Sequence, residues 1–236
     1  MPVFKLNPER IIFPPPEMSE SSGLLAIGGK LDYKWLLEGY SIGVFPWFNS
    51  EDPILWWSPD PRSVAKPGEI YISKSMKPYF KKSIFTLKVD TSFEEVIENC
   101  QKIKRESQDG TWITKEIKQA YIDLFRRGYA HSFETFKNGK LVGGLYGVSL
   151  GKMFFGESMF SSISNASKFA FISLSIILKN NNFNLIDCQI PNPHLKSMGC
   201  YNMKKSDFLN LLYKNRIEKT ILGNWSSGLL NLDYSI

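Results

Sequence analysis

Histidine and cysteine are scarce in this chain, and their scarcity removes several kinds of chemistry at once. The 236 residues hold two histidines, His131 and His194, and three cysteines, Cys100, Cys188 and Cys200, with no Cys-x-x-Cys spacing. Such a set supports neither a disulfide framework nor a zinc site. Cys188 has no evident histidine partner and reads as a small buried hydrophobe rather than a nucleophile. Long hydrophobic runs are missing as well: the longest, Phe169 to Leu178, contains serines and falls far short of the roughly 20 residues that cross a bilayer. The opening residues Met1-Pro2-Val3-Phe4-Lys5 lack the basic stretch, apolar run and small-residue cleavage site of a secretory leader. A cytoplasmic protein without a metal site is expected.

What the chain does have is apolar and aromatic mass. Hydrophobic residues make up 43% and aromatics 14%, enough to fill the core of one large domain or two smaller ones. The net charge of +6 favours a polyanionic partner. Lys66, Lys74, Lys77, Lys81, Lys82 and Lys88 crowd one region that also holds Tyr71, Tyr79 and Phe80. Basic residues interleaved with aromatics suit a phosphate backbone and an unstacked base, although a solvated lysine face has the same composition.

The first sixty residues are rich in Pro, Gly and Trp and predict irregular chain around one short helix, capped by Asp32 and ended by Gly39 or Gly43. From residue 64 the pattern turns regular. Ser92 with Glu95 three residues on predicts a capping box, and Thr114 opens a second helix that Gly128 closes. Strands His131 to Phe136 and Lys140 to Val148 flank the hairpin signal Asn138-Gly139, and a third runs from Met153 to Met159. A helix from about Ala166 to Lys179 follows, then a strand, a helical turn at His194 to Met198, and a last helix capped by Ser206. The order predicts an α+β fold: a small N-terminal domain, 1–63, and a domain, 64–236, whose mostly antiparallel sheet is flanked by helices. By fold-level analogy the second is like the Gcn5-related (GNAT) N-acyltransferases.

The segment Asn184-Leu185-Ile186-Asp187-Cys188-Gln189-Ile190 carries a carboxylate and an amide inside an apolar strand. Strand alternation puts Asp187 and Gln189 on one face, with Ile186 and Cys188 on the other. A carboxylate beside an amide can orient an amine and stabilise the charge that builds as it attacks a carbonyl. A structural carboxylate paired to local groups is the other reading.

Eight segments in order, Gly23-Leu24-Leu25-Ala26-Ile27-Gly28-Gly29, Phe45-Pro46-Trp47-Phe48, Trp56-Trp57-Ser58-Pro59-Asp60-Pro61-Arg62, Gly110-Thr111-Trp112-Ile113-Thr114, Gly143-Gly144-Leu145-Tyr146-Gly147, Gly156-Glu157-Ser158-Met159-Phe160-Ser161, Asn165-Ala166-Ser167-Lys168 and Leu185-Ile186-Asp187-Cys188-Gln189, together resemble the bacterial leucyl/phenylalanyl-tRNA–protein transferases. The resemblance implies a cytoplasmic aminoacyltransferase. It would take Leu or Phe, and less well Met, from aminoacyl-tRNA and join it to the N-terminal Arg or Lys of a protein, marking that protein for N-end-rule degradation. The aminoacyl ester is already activated, so no cofactor, ATP or metal is implied. An α-amino group of pKa about 7.7–8.0 is neutral often enough to attack, and positioning supplies much of the rate.

On the same footing, Asp187 would orient or deprotonate the acceptor amine, Gln189 would position it or stabilise the oxyanion, and Glu157 would help arrange Gln189 and the substrate. Leu145, Phe171, Leu174, Leu178 and Ile186 would form the aminoacyl pocket, with Leu145 and Leu174 standing where Met and Phe are common in the family. Trp47, Trp112 and Tyr121 would line the site of the terminal adenosine, and Arg62, Lys74, Lys77, Lys81 and Lys82 would grip tRNA phosphates. Two other readings share these features. A coenzyme-A-dependent N-acetyltransferase would need a glycine-rich pyrophosphate loop, which Ser161-Ser162-Ile163-Ser164-Asn165 does not provide. A non-catalytic RNA-binding protein would leave Asp187 and Gln189 without a task.

Overall fold

The computed structural model describes residues 3–103 and 111–236; Met1, Pro2 and Gly110 of the Gly-Thr-Trp motif lie outside them. Two sheets organise the chain. The smaller contains β1 (Phe4–Leu6), β2 (Leu24–Gly28), β3 (Phe45–Pro46) and β4 (Leu55–Trp57), in the order β1-β2-β4-β3. The larger contains β5 (Arg62–Ala65), β6 (Thr86–Val89), β7 (Ala130–Lys137), β8 (Lys140–Leu150), β9 (Met153–Ser161), β10 (Leu185–Gln189) and β11 (Tyr201–Met203), in the order β11-β5-β10-β9-β8-β7-β6. The chain passes from one sheet to the other between Trp57 and Arg62. Helices α1 (Tyr33–Ser41), α2 (Lys77–Lys81), α3 (Phe93–Lys102), α4 (Lys115–Arg126), α5 (Ala166–Asn180), α6 (Pro193–Ser197) and α7 (Lys205–Asn215) complete a mixed α+β architecture. Among the described residues no helix is long and apolar enough to cross a membrane.

Local chemistry accounts for several element ends. Asp32 caps α1 by accepting the Lys34 and Trp35 amides, and Thr114 caps α4 through the Ile117 amide. Asn138 and Gly139 both have positive φ, 50° and 75°, the geometry that closes the β7–β8 hairpin without splaying its twist. Two expected caps fail because a distant carboxylate arrives first. Ser92 makes no side-chain cap bond on α3; the buried Glu134 of β7 accepts the Thr91 and Ser92 amides instead. Likewise α7 begins at Lys205, whose amide is taken by Asp60, so Ser206 is not its cap.

The larger sheet is covered on both faces. Tyr146 and Phe155 point toward α3, α4 and the tryptophan-rich first part of the chain, whereas Leu145 and Phe154 point toward α5. Fully buried Trp35, Tyr40 and Trp56 join the first of these cores, so residues before Arg62 pack directly on the larger sheet's own layer. Each such ring contributes about 1.5–3 kcal/mol by leaving water. Helix α5 comes close to the sheet where β8 has no side chain: a Cβ added at Gly143 would lie 2.5 Å from that of Ala166. That helix is also the crossover between β9 and β10, the parallel pair in an otherwise antiparallel sheet.

Candidate active site

Two bulges open the sheet at one level. Tyr146 pairs with Ser158 and Gly147 with Gly156, which leaves Glu157 as an extra residue in β9. In β10, Asp187 pairs with Val64 and Gln189 with Ser63, which leaves Cys188 extra, and Gln189 has a φ of 58°. The parallel pairing of β9 with β10 ends at the same place, with Phe155 opposite Asp187. Bulges re-aim side chains and end pairing. Here they turn Glu157, Cys188 and Gln189 toward a cavity of about 360 Å³ in the gap.

The cavity lining is mixed: Leu145, Met159, Phe171 and Leu174 are apolar, Glu157 and Gln189 are polar, and Trp47 and Trp112 belong to the same lining. The expected pocket residues Leu145, Phe171 and Leu174 are therefore brought together, with Trp47 and Trp112. Leu178 and Ile186 are not: both are wholly buried in the α5 core and do not reach the cavity. Tyr121 is also fully buried. Its hydroxyl bonds Glu157 and its ring meets Tyr146 edge-on, so it offers no face to an adenine.

The expectation that Asp187 and Gln189 share a face is corrected by the bulge. Cys188 and Gln189 both line the cavity, while Asp187 is 0% exposed and does not line it. Arg62 binds Asp187 twice, Nε to Oδ1 at 2.8 Å and Nη2 to Oδ2 at 2.7 Å. Oδ1 also accepts the Gln189 amide at 2.9 Å. Arg62 in turn donates to the Gly43 carbonyl and lies between the rings of Phe45 and Phe208. At 1% exposure it cannot reach a phosphate; it is the counter-charge that permits a carboxylate to be buried here.

Glu157 is the more exposed of the two carboxylates. Its Oε1 accepts from Tyr40 Oη at 2.6 Å and from Gln189 Nε2 at 2.9 Å, and its Oε2 from Tyr121 Oη at 2.7 Å. The two phenol oxygens are 2.5 Å apart. Loss of water pushes the Glu157 carboxyl up to about 7, with the charge of Asp187 adding to the rise and the three donors opposing it. Burial, followed by the charge of Glu157, holds both phenols well above the usual tyrosine range, so they stay protonated at neutral pH. Contact with the Cys200 sulfur 3.9 Å away, together with burial, pushes the Cys188 thiol up, which unsuits it as a nucleophile.

Tyr40, Met159 and Cys188 were missed from the sequence. Tyr40 looks like any core aromatic of an amphipathic helix, and its partner Glu157 lies 117 residues away. The lysines stand apart from the cavity. Lys74, Lys77, Lys81 and Lys82 are exposed on and beside α2, but Tyr79 and Phe80, expected to interleave with them as stacking rings, pack inward on Phe85 and Phe169.

Family models match most of this frame. The model described as leucyl/phenylalanyl-tRNA protein transferase covers residues 64–213, and that of the same family's N-terminal domain covers residues 29–60. The chain belongs to the leucyl/phenylalanyl-tRNA protein transferase family. Proteins of that name are 50% identical in Flavobacterium johnsoniae, across 86% of this chain and 95% of that one, and 47% identical in Shewanella halifaxensis, across 97% of both. A third, from Desulforapulum autotrophicum, is 45% identical over 95% of this chain and 98% of its own. Among solved structures, that of L-PGS from Bacillus licheniformis overlaps 72% of this chain and 54% of that one at a TM-score of 0.39 and 12% identity, a likeness too weak to carry an argument.

Proposed function

We propose that this member of the family is a cytoplasmic aminoacyltransferase that moves leucine or phenylalanine, and methionine less well, from aminoacyl-tRNA to proteins with N-terminal Arg or Lys, marking them for degradation. The observation that carries the reading is a single cavity whose lining combines apolar side chains with a carboxylate and an amide. The aminoacyl side chain would lie against Leu145, Met159, Phe171 and Leu174, placing its ester carbonyl near Gln189 and Glu157. Trp47 and Trp112 would face the terminal adenosine, for which ring stacking is worth about 1–3 kcal/mol.

Asp187 then orients rather than reacts. Fixed by Arg62, it holds the Gln189 backbone in its left-handed conformation and so sets the direction of the Gln189 amide. The exposed Lys74, Lys77, Lys81 and Lys82 would meet tRNA phosphates, which fix register by charge rather than sequence. The α5 crossover between parallel strands that part at the site is the feature favouring a GNAT-like reading of residues 64–236.

The test is transfer of labelled leucine from Leu-tRNA to a peptide beginning with Arg, beside one beginning with Ala and a control with acetyl-CoA. Label in the Arg peptide alone is the expected result. Acetylation without leucyl transfer would overturn the reading.

A further inference from the structure

Three side chains, Tyr40, Tyr121 and Glu157, meet in a triangle through four oxygens, the two phenol oxygens and both carboxyl oxygens. It has three short sides: 2.5 Å between the phenols, 2.6 Å from Tyr40 to Oε1 and 2.7 Å from Tyr121 to Oε2. Each side needs one proton, and two phenols carry two. With Glu157 ionised, both hydroxyls donate to it and the phenol–phenol contact has no proton. With Glu157 protonated, its O–H donates to one phenol, that phenol donates to the other, and the second returns a bond to the remaining carboxyl oxygen. All three sides are then satisfied.

We infer that Glu157 takes the acceptor amine's proton during transfer, and that Tyr40 and Tyr121 are positioning residues that close into a three-proton ring with it when it does. The inference rests on the transferase reading above and deepens it. Asp187, the other carboxylate in the region, is excluded by its place: it is 0% exposed, its charge is tied to the Arg62 guanidinium by two bonds, and it does not line the cavity. Glu157 does line it. In the step itself the neutral amine nitrogen attacks the ester carbonyl carbon, the N–C bond forms, and one N–H proton passes to Glu157. The C–O bond to the ribose oxygen then breaks as that oxygen receives the proton, which restores the carboxylate.

The groups facing the triangle are few. Asp187 from β10, neutralised by Arg62 of β5, and Tyr146 from β8 act on it through space, and Gln189 donates to Glu157. The carboxyl sits near neutrality, where a general base is most effective. Tyr40 comes from α1, so the first part of the chain supplies a corner of the triangle.

The experiment combines a titration with a rate. Glutamate carboxyl carbons are labelled with 13C in the whole protein and followed by NMR across neutral pH, in the wild type, Glu157→Gln and Tyr40→Phe. Single-turnover transfer from Leu-tRNA to an Arg peptide is measured in parallel. Gln donates and accepts where the carboxylic acid would, so Glu157→Gln keeps the ring but cannot take a proton.

A glutamate signal titrating near neutrality should vanish in Glu157→Gln and shift by roughly half a pH unit or more in Tyr40→Phe. Transfer by Glu157→Gln should slow by about a hundredfold with Leu-tRNA binding retained. Transfer by Glu157→Gln close to the wild-type rate, or a Tyr40→Phe midpoint that stays in place, overturns the inference while leaving the transferase reading intact. Failure of the wild type to leucylate the peptide overturns that reading and the inference with it.

Discussion

Arg62 and Asp187 form a two-bond ion pair in which neither side chain is more than 1% exposed. Attraction and desolvation nearly offset one another in such a pair, but a partner left alone keeps only the cost. Asp187→Ala should therefore lower stability by about 3–5 kcal/mol, because the guanidinium would remain between Phe45 and Phe208 with no counter-charge. Urea denaturation compares the variants. Replacing both residues by apolar side chains of similar volume should recover much of the loss, and an unchanged midpoint in Asp187→Ala would contradict the account.

Glu157 makes stability depend on pH in an unusual sense for a carboxylate. Its folded value of about 7 lies above the ordinary 4.5, so between those limits the folded state holds more protons than the unfolded one. Stability contributed by the neutral form is present below about 4.5 and is lost as pH rises through 7. The rise from 4.5 to about 7 corresponds to about 3 kcal/mol. Glu157→Gln should accordingly be more stable than the wild type at pH 8 and near equal to it at pH 4.5. Urea midpoints at the two pH values give the answer.

The cavity wall contains Leu174 where a larger ring would reduce the space for a donor side chain. Leu174→Phe should lower kcat/KM for Phe-tRNA relative to Leu-tRNA by about tenfold, within the 1–3 kcal/mol that separates side chains differing by a methylene or so. Competition between the two charged tRNAs for one peptide measures the ratio directly. A ratio that does not move would place the donor side chain elsewhere.

Lys77 and Lys81 are exposed on α2, and no ion pair among the described residues involves them. Each that meets a phosphate releases about one counterion, so Lys77→Ala with Lys81→Ala should reduce the slope of log affinity against log salt by about 2. Peptide leucylation at saturating tRNA should be unchanged. Filter binding of tRNA over a range of salt concentrations gives the slope.

Much of the local structure was legible because it depends on neighbours in sequence. Asp32, Thr114 and the Asn138-Gly139 turn act on amides within three residues, and they were placed correctly. Ser92 stands at the N-cap of α3 without its cap bond and Ser206 lies inside α7, because Glu134 and Asp60 come from elsewhere in the fold. The same division runs through the site. Gln189 was found from the oddity of polar groups in an apolar strand, and Glu157 from the resemblance to the family. That Cys188 rather than Asp187 reaches the cavity follows from a bulge, which leaves no mark in a periodicity of two, and Arg62 is buried by partners distant in sequence, Asp187, Phe45 and Phe208.

An extra residue in a strand is also a counter. Removing Glu157 by deletion would do more than delete a carboxyl group, since the restored ladder would turn every later side chain of β9 over. Ser158 and Met159, adjacent in sequence and both in the cavity wall, would exchange the sides of the sheet to which they belong, and the strand would then enter α5 half a repeat out of step. The length of this strand is thus as much a part of the site as the residues that compose it.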